Sequence, residues 1–285
     1  MAELEPYLNA CPVGCHAPLA PTALVLREGT LQACEECGQL LSRIGEAAYW
    51  ESMQQFNAHE FNQPAPREVA RRFGVARRRL NTIRALLGTT SAAPRVLDVG
   101  CSRGNFLQAG AKLGFRMEGV EPAANIAAAA RAQGLVVHTG LLADVALPAA
   151  AFDAITLFEV IEHLREPLPL LRECHRVLKP DGILVLSTGN TASWTVAAMQ
   201  ERWDYFDIAK DSGHISFYNP RSIALLGART GFGVEKVTTS RVKFRDKGDV
   251  PRWRYAAGKV VAELLNLPAR LAGRGHDMLA FLRRI

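Results

Sequence analysis

From residue 95 onward, apolar runs of strand length alternate with longer segments of helical periodicity. That alternation predicts an α/β fold, a mostly parallel sheet with helices on both faces. Two local features sharpen the expectation. The run Val96-Leu-Asp98 reads as a buried strand that stops at a carboxylate, and it leads through the small-residue turn Gly100-Cys-Ser-Arg-Gly104 into a helix. Such a turn lets a ligand approach the backbone and presents unpaired helix N–H groups to it. The next apolar run, Phe115-Arg-Met-Glu-Gly-Val120, ends in a second acid, Glu121. A carboxylate at the tip of the adjacent parallel strand can accept the hydroxyls of a ribose.

In chain order, residues 1–45 read as a small cysteine-rich ribbon with short strands at Thr22-Ala-Leu-Val-Leu and Thr30-Leu-Gln. Residues 46–92 form a helical linker carrying Tyr49, Trp50 and Phe56, broken at Gln63-Pro-Ala-Pro66 and resuming as a basic helix to about Leu87. A loop over 88–94 precedes the main domain, 93–285. Its strands are expected near 95–99, 116–120, 135–138, 154–158 and 182–187, with helices near 104–113, 123–133, 167–177 and 220–230. Gly231-Phe-Gly-Val-Glu-Lys-Val starts a sixth strand. A helical insertion over about 254–272, carried by apolar residues at helical spacing and kinked at Pro268, precedes a last strand from Asp277.

A chain of 285 residues with 48% hydrophobic content buries a full core with a modest appendage. No apolar run reaches the length of a membrane span and the N-terminus lacks a signal pattern, so a cytoplasmic protein is the expectation. The net charge of +6 is diffuse, densest over Arg67-Glu-Val-Ala-Arg71-Arg72 and Arg77-Arg78-Arg79. A solvated helix face is the simpler reading of that strip, and a docking strip for an acidic partner the other. Four of the six cysteines form Cys11-x3-Cys15-x18-Cys34-x2-Cys37. Thiolates paired so closely suit a tetrahedral, structural Zn²⁺, with His16 as a competing ligand. Cys101 and Cys174 stand alone and read as small buried residues.

The glycine spacing separates the nucleoside cofactors. A dinucleotide would want G-x-G-x-x-G, and a phosphate loop would want Gly-Lys-Ser/Thr; neither is present. S-adenosylmethionine lacks phosphates and needs a short turn with flanking acids. Here the chain resembles the class I S-adenosylmethionine-dependent methyltransferases, in their sugar and small-molecule branch, from about Arg95 onward. Later motifs agree in order: Phe152-Asp153-Ala-Ile-Thr-Leu-Phe158-Glu159-Val-Ile-Glu162-His163, then Leu178-Lys-Pro-Asp181-Gly182 with its following strand, then His214-Ile-Ser-Phe-Tyr218. The resemblance implies a Rossmann-like sheet of seven strands with an antiparallel last strand. It implies a cofactor site made by Asp98, Gly100, Ser102, Gly104, Glu121, Asp144 and Phe158.

Methyl transfer to a hydroxyl needs alignment of the acceptor and a base for its proton. His163, after the fourth core strand, is the candidate base, with Glu159 and Glu162 to orient it or bind substrate; a hydrogen bond that caps the helix turn is its alternative role. His214 and Tyr218 are expected to face the same cleft, Tyr218 chiefly by packing, with Trp203 in a loop that covers the acceptor. The leading expectation is an enzyme that O-methylates a saccharide or other small polar acceptor in polysaccharide or secondary-metabolite biosynthesis. Alternatives are an RNA methyltransferase binding through the ribbon, disfavoured by Glu28, Glu35 and Glu36, and a non-catalytic cofactor-binding module. The helical insertion is open to four roles: packing on the core, a substrate lid, a dimer face, or a peripheral membrane contact.

Overall fold

A computed structural model describes residues 5–58, 66–88, 92–207, 213–245 and 251–285. Much of the Gln63–Pro66 break, the middle of the 88–94 loop and part of the charged 241–253 segment lie outside these residues, as does the side chain of Phe56.

Seven strands form the main sheet: β4 (Arg95–Val99), β5 (Arg116–Glu121), β6 (Val137–Thr139), β7 (Phe152–Phe158), β8 (Leu178–Gly189), β10 (Phe232–Thr239) and β11 (Asp277–Arg284). Their order is β10-β11-β8-β7-β4-β5-β6. The strands β4 to β8 pair in parallel, while β11 inserts antiparallel between β8 and β10. Successive residues of the central strands feed opposite sides. Leu97, Ile155, Leu184 and Leu282 join one apolar cluster, and Val96, Ala154, Ile183 and Phe281 the other. That is why these strands are apolar without alternation: both faces are covered.

The first face packs on α5 (Pro167–Val177) and α7 (Pro220–Ala228) through Leu171, Cys174, Ile223 and Leu226. The second packs on α2 (Pro66–Leu87), which buries Leu80 and Ile83. Helices α3 (Asn105–Lys112) and α4 (Ala124–Arg131) follow β4 and β5. Cys101 is buried beside them.

The N-terminal strands β1 (Leu19–Leu26), β2 (Gly29–Cys34) and β3 (Leu40–Leu41) form an antiparallel sheet whose fourth strand is β9 (Ser216–Phe217). The sheet therefore crosses the boundary expected at residue 45. The ribbon borrows a strand from the core domain, and its apolar residues Leu31 and Leu40 pack with Trp203, Phe206 and Phe217. Helix α1 (Glu46–Ala58) packs Tyr49 into the adjoining cluster with Leu41 and Ile215. After β8, α6 (Trp194–Met199) leads into two short 3₁₀ turns ending at Phe206. Helix α8 (Arg252–Leu271) runs through Pro268 as one element and lies beside β10.

Candidate active site

The chain passes from β4 outward to β5 and β6, then returns to the other side of β4 as β7. The strand order thus reverses between β4 and β7, the place where open α/β sheets bind ligands beyond the strands' carboxyl ends. Two turns meet there. The first, residues 100–104, folds tightly because Gly100 and Gly104 take φ of 75° and 78° and Ser102 takes 48°. A side chain on Gly100 would meet Val160 Cγ2 at 2.8 Å, and one on Gly104 would collide with Leu135. Both glycines are favoured by their left-handed conformation, and a side chain at either would have to push a neighbouring methyl group aside.

Glu121 braces this turn. Its carboxylate accepts from the Ser102 and Ala123 N–H groups, each at 2.9 Å. Carboxylate oxygens have further lone pairs, so this bracing is compatible with ribose hydroxyls. Asp98 lies deeper, accepts from the Thr156 hydroxyl at 2.5 Å, and is pushed up to about 7 by burial. The hydroxyl of Thr156 and the guanidinium of Arg79 act in the opposite direction, favouring the carboxylate. Asp144 is exposed on the loop after β6, with buried Leu142 near it.

The second turn follows Phe158. Phe158 forms an edge-to-face pair with Phe106 at 4.9 Å, and the Arg79 guanidinium lies over its ring. Glu159 adopts φ of 55°, uncommon for a residue with a side chain and concentrated at functional sites. Its carboxylate accepts from the Ser187 hydroxyl at 2.7 Å and from the Tyr205 hydroxyl. Burial, then the charge of Glu159, raises the Tyr205 phenol well above its ordinary value, so it stays protonated and donates. The His163 ring sits 4.8 Å from that of His214, and Tyr49 donates to the His163 carbonyl at 2.8 Å. His214 stacks on Tyr205 and donates from Nδ1 to the Tyr205 carbonyl at 3.1 Å.

Donor atoms of Glu162, His163 and His214 all lie within 4.8 Å of one another. Glu162 is fully buried, and its oxygens have no well-aligned hydrogen-bond partner among the described residues, although Glu159 and Thr188 approach the carboxyl. Burial, reinforced by Glu159, pushes this carboxyl well above the usual range. Such a group can share a proton or hold a cation.

A family model described as a methyltransferase domain matches residues 49–237, more than half of the chain and all of both turns. The chain belongs to this family. It carries a methyltransferase domain. Among curated relatives, it is 31% identical over 159 residues to a ubiquinone biosynthesis O-methyltransferase of Xanthomonas axonopodis pv. citri, covering 52% of this chain and 66% of that protein. With the protein of the same name from Histophilus somni it shares 36% over 118 residues, 37% of this chain and 50% of that one. The chain thus spans about half to two thirds of these relatives. Solved structures share the fold. A methyltransferase from Archaeoglobus fulgidus aligns with TM-score 0.54 at 19% identity, covering 76% of this chain and 94% of that one. Geranyl diphosphate C-methyltransferase from Streptomyces coelicolor aligns with TM-score 0.54 at 16% identity, covering 85% and 100%.

In this methyltransferase, some residues stand elsewhere than the sequence suggested. Trp203 is not a wall open to the acceptor. It is buried, stacks on Tyr205, packs edge-on against Phe206 and donates its indole N–H to His276 at 3.3 Å. Its size suits the apolar gap between the small sheet and β8, and Tyr205 takes the place beside Glu159. Tyr218, by contrast, takes the packing role expected of it: it is fully buried, its hydroxyl donating to the Ile161 carbonyl at 3.4 Å. The basic strip is divided: Arg77 and Arg78 are exposed, whereas Arg79 turns inward toward Glu159 and Asp98. Arg79, Thr156, Ser187 and Tyr205 belong to the site although the sequence did not single them out. The signal for Arg79 was available, since it shares a helix face with buried Ala76, Leu80 and Ile83.

The four N-terminal cysteines are buried, and their sulfurs lie within 4.8 Å of one another. Cys11 and Cys37 are 3.6 Å apart, too far for a disulfide and close to the roughly 3.8 Å edge of a thiolate tetrahedron around zinc. Arg229 donates to Cys15 Sγ, to the Val13 carbonyl and to Glu36, tying the cluster to α7. His16 is exposed and stands outside it.

Proposed function

We propose that this methyltransferase O-methylates a small polar molecule, with His163 taking the proton of the acceptor hydroxyl. The carrying observation is the cluster of His163, His214 and Glu162 immediately beyond β7, beside the switch point at Asp98. S-adenosylmethionine, when bound, supplies a methyl group already activated on a sulfonium. The chain's own residues bind and orient. Glu121 is suited to ribose hydroxyls, Asp98 to the amino group and Arg79 to the carboxylate of the methionine moiety. Gly100, Ser102 and Gly104 give the close backbone approach, with Phe158 as an apolar wall and Asp144 near the adenine. Glu159, fixed by Ser187 and Tyr205, is placed to orient the acceptor, and His214 to position His163. Alignment supplies much of the rate, since an activated methyl needs little further chemistry.

The similarity to ubiquinone biosynthesis O-methyltransferases supports oxygen as the methylated atom; a saccharide acceptor draws no support from the comparisons. One observation favours a second arrangement of the same site. The buried carboxyl of Glu162, which lacks a well-aligned partner, would suit a divalent cation held with His163 and His214; such an ion would favour its ionised form and lower the pKa of a bound hydroxyl. For the N-terminal cluster we infer a structural Zn²⁺, since all four positions of a tetrahedron are taken by protein.

The test is incubation with isotope-labelled methyl donor and cell extract divided into small-molecule, nucleic-acid and protein fractions. Label in a small-molecule hydroxyl, lost in His163→Ala with cofactor binding retained, is the expected result. Label confined to RNA, or full transfer by His163→Ala, overturns the reading. Loss of turnover on chelation, restored by magnesium with the zinc content unchanged, would select the cation arrangement.

A further inference from the structure

Helix α8 has two apolar faces, and only one of them is used. The inward face sets Tyr255, Ala262, Leu265 and Ala269 toward the body of the protein, where Ala262 and Ala269 pack with Val242, Trp194 and Phe244. On the opposite side of the helix, Trp253, Val260, Leu264, Leu267 and Leu271 recur at spacings of three, four and seven residues, which places them on one stripe. All five are exposed, from 61% at Val260 through 73% at Leu264 to 81% at Leu271. A continuous exposed stripe of this kind marks an interaction surface.

Its flanks are positive. Arg252, Arg254, Lys259 and Arg270 border the stripe and are exposed, and Arg241 and Arg245 stand beside the same helix. The acid on the helix is Glu263, which accepts from the neutral Asn266 side-chain amide at 2.8 Å, so Arg252, Arg254, Lys259 and Arg270 outnumber it. A second copy of the chain would bring this positive rim against itself. A bilayer with anionic headgroups matches both the rim and the stripe, and Trp253 at the end of the stripe is a side chain that favours the interface. Among the described residues no helix is long and apolar enough to cross a membrane, so α8 would lie in the interface.

The position of the helix gives the contact a use. Residues that follow and precede α8 reach the acceptor side of the cleft. Lys243 bonds Asp204 at 2.8 Å, next to Tyr205, and His276 accepts from Trp203. We propose that α8 docks this methyltransferase on anionic membrane surfaces, holding the acceptor mouth at the lipid–water boundary. Such docking depends on the helix alone, whichever hydroxyl is methylated.

The full chain is sedimented with vesicles of phosphatidylcholine alone and of phosphatidylcholine mixed with phosphatidylglycerol. Expected is pelleting with the anionic vesicles, weakened by salt and absent with neutral ones. Leu264→Glu should lower the partition coefficient at least about tenfold, and Arg252→Gln and Lys259→Gln about fivefold each. All three variants should keep wild-type binding of S-adenosylhomocysteine, which establishes that they are folded. Absence of pelleting with anionic vesicles, equal pelleting with neutral ones, or an undiminished partition of Leu264→Glu overturns the proposal. A dimer in sedimentation that Leu264→Glu dissociates also overturns it, assigning the stripe to a second copy.

Discussion

The Arg79 guanidinium carbon stands 4.2 Å from the centroid of the Phe158 ring and faces the carboxylates of Asp98 and Glu159. It is the cation that α2 contributes to the carboxyl edge of β4 and β7. Replacing it removes a charged hydrogen-bond donor from a site meant for a zwitterionic ligand. Arg79→Ala is expected to weaken S-adenosylhomocysteine binding by about tenfold to a hundredfold in calorimetry. Arg77→Ala, on the exposed face, should leave it unchanged. Equal affinities for wild type and Arg79→Ala would remove Arg79 from the site.

The strand β4 and its turn were legible in the sequence because Val96, Leu97 and Val99 are buried on both faces and because only small residues fit where Gly100 and Gly104 lie. The positions of β5, β7, β8 and β11 followed from the same apolar runs. Arg79 was hidden by its neighbours: in a run of three arginines, charge density dominates and the helical phase is easily passed over. The two-residue strand β9 was illegible, because Ser216–Phe217 carries no pattern of its own and acquires its conformation by pairing with Leu40–Leu41 far back in the chain. Trp203 was misplaced because an aromatic in a polar loop reads as exposed, whereas tertiary packing gave it the centre of a second small core.

Stability should depend on pH through Asp98. Its folded value of about 7 lies above the ordinary value of 3.8. Between those two values the folded state binds more protons than the unfolded one, so the carboxyl's cost to stability grows as pH rises through that window. It is absent below about 4 and complete above about 7. Asp98→Asn should therefore stabilise the ligand-free protein at pH 8 by on the order of 1–3 kcal/mol in urea unfolding, after the altered Thr156 hydrogen bond is subtracted, and lose that gain near pH 4. The same variant should bind the cofactor poorly. A gain of equal size at both pH values would place its origin outside this carboxyl.

Removal of metal from the N-terminal cluster should damage acceptor turnover more than cofactor binding. The cysteines share a core with Tyr218, and Asn219 donates to the Cys37 carbonyl at 3.1 Å. The sheet they support holds β9, two residues after His214. Purified protein should contain one zinc per chain by elemental analysis, and Cys34→Ser should lose it along with several degrees of thermal stability. For that variant kcat should fall while cofactor affinity changes less than about threefold. Unaltered kcat in a zinc-free protein would separate the ribbon from the active site.

Tyr205→Phe tests the acceptor wall. The substitution removes the hydroxyl that donates to Glu159 and keeps the ring stacked on Trp203 and His214. A charge-assisted hydrogen bond of this type is worth about 1.5–3 kcal/mol, so kcat/KM should fall by about tenfold to a hundredfold without loss of cofactor affinity. An unaltered kcat/KM would show that the orientation of Glu159 does not depend on the phenol.

Calorimetric titration of S-adenosylhomocysteine into wild-type protein and Glu121→Ala bears most directly on the whole reading of the sheet's carboxyl edge. Expected are one molecule bound per chain by the wild type and an affinity at least about tenfold lower for the variant, because Glu121 both braces the turn at Ser102 and is suited to the ribose hydroxyls. No heat of binding from well-folded wild-type protein, or an undiminished affinity in Glu121→Ala, would contradict it.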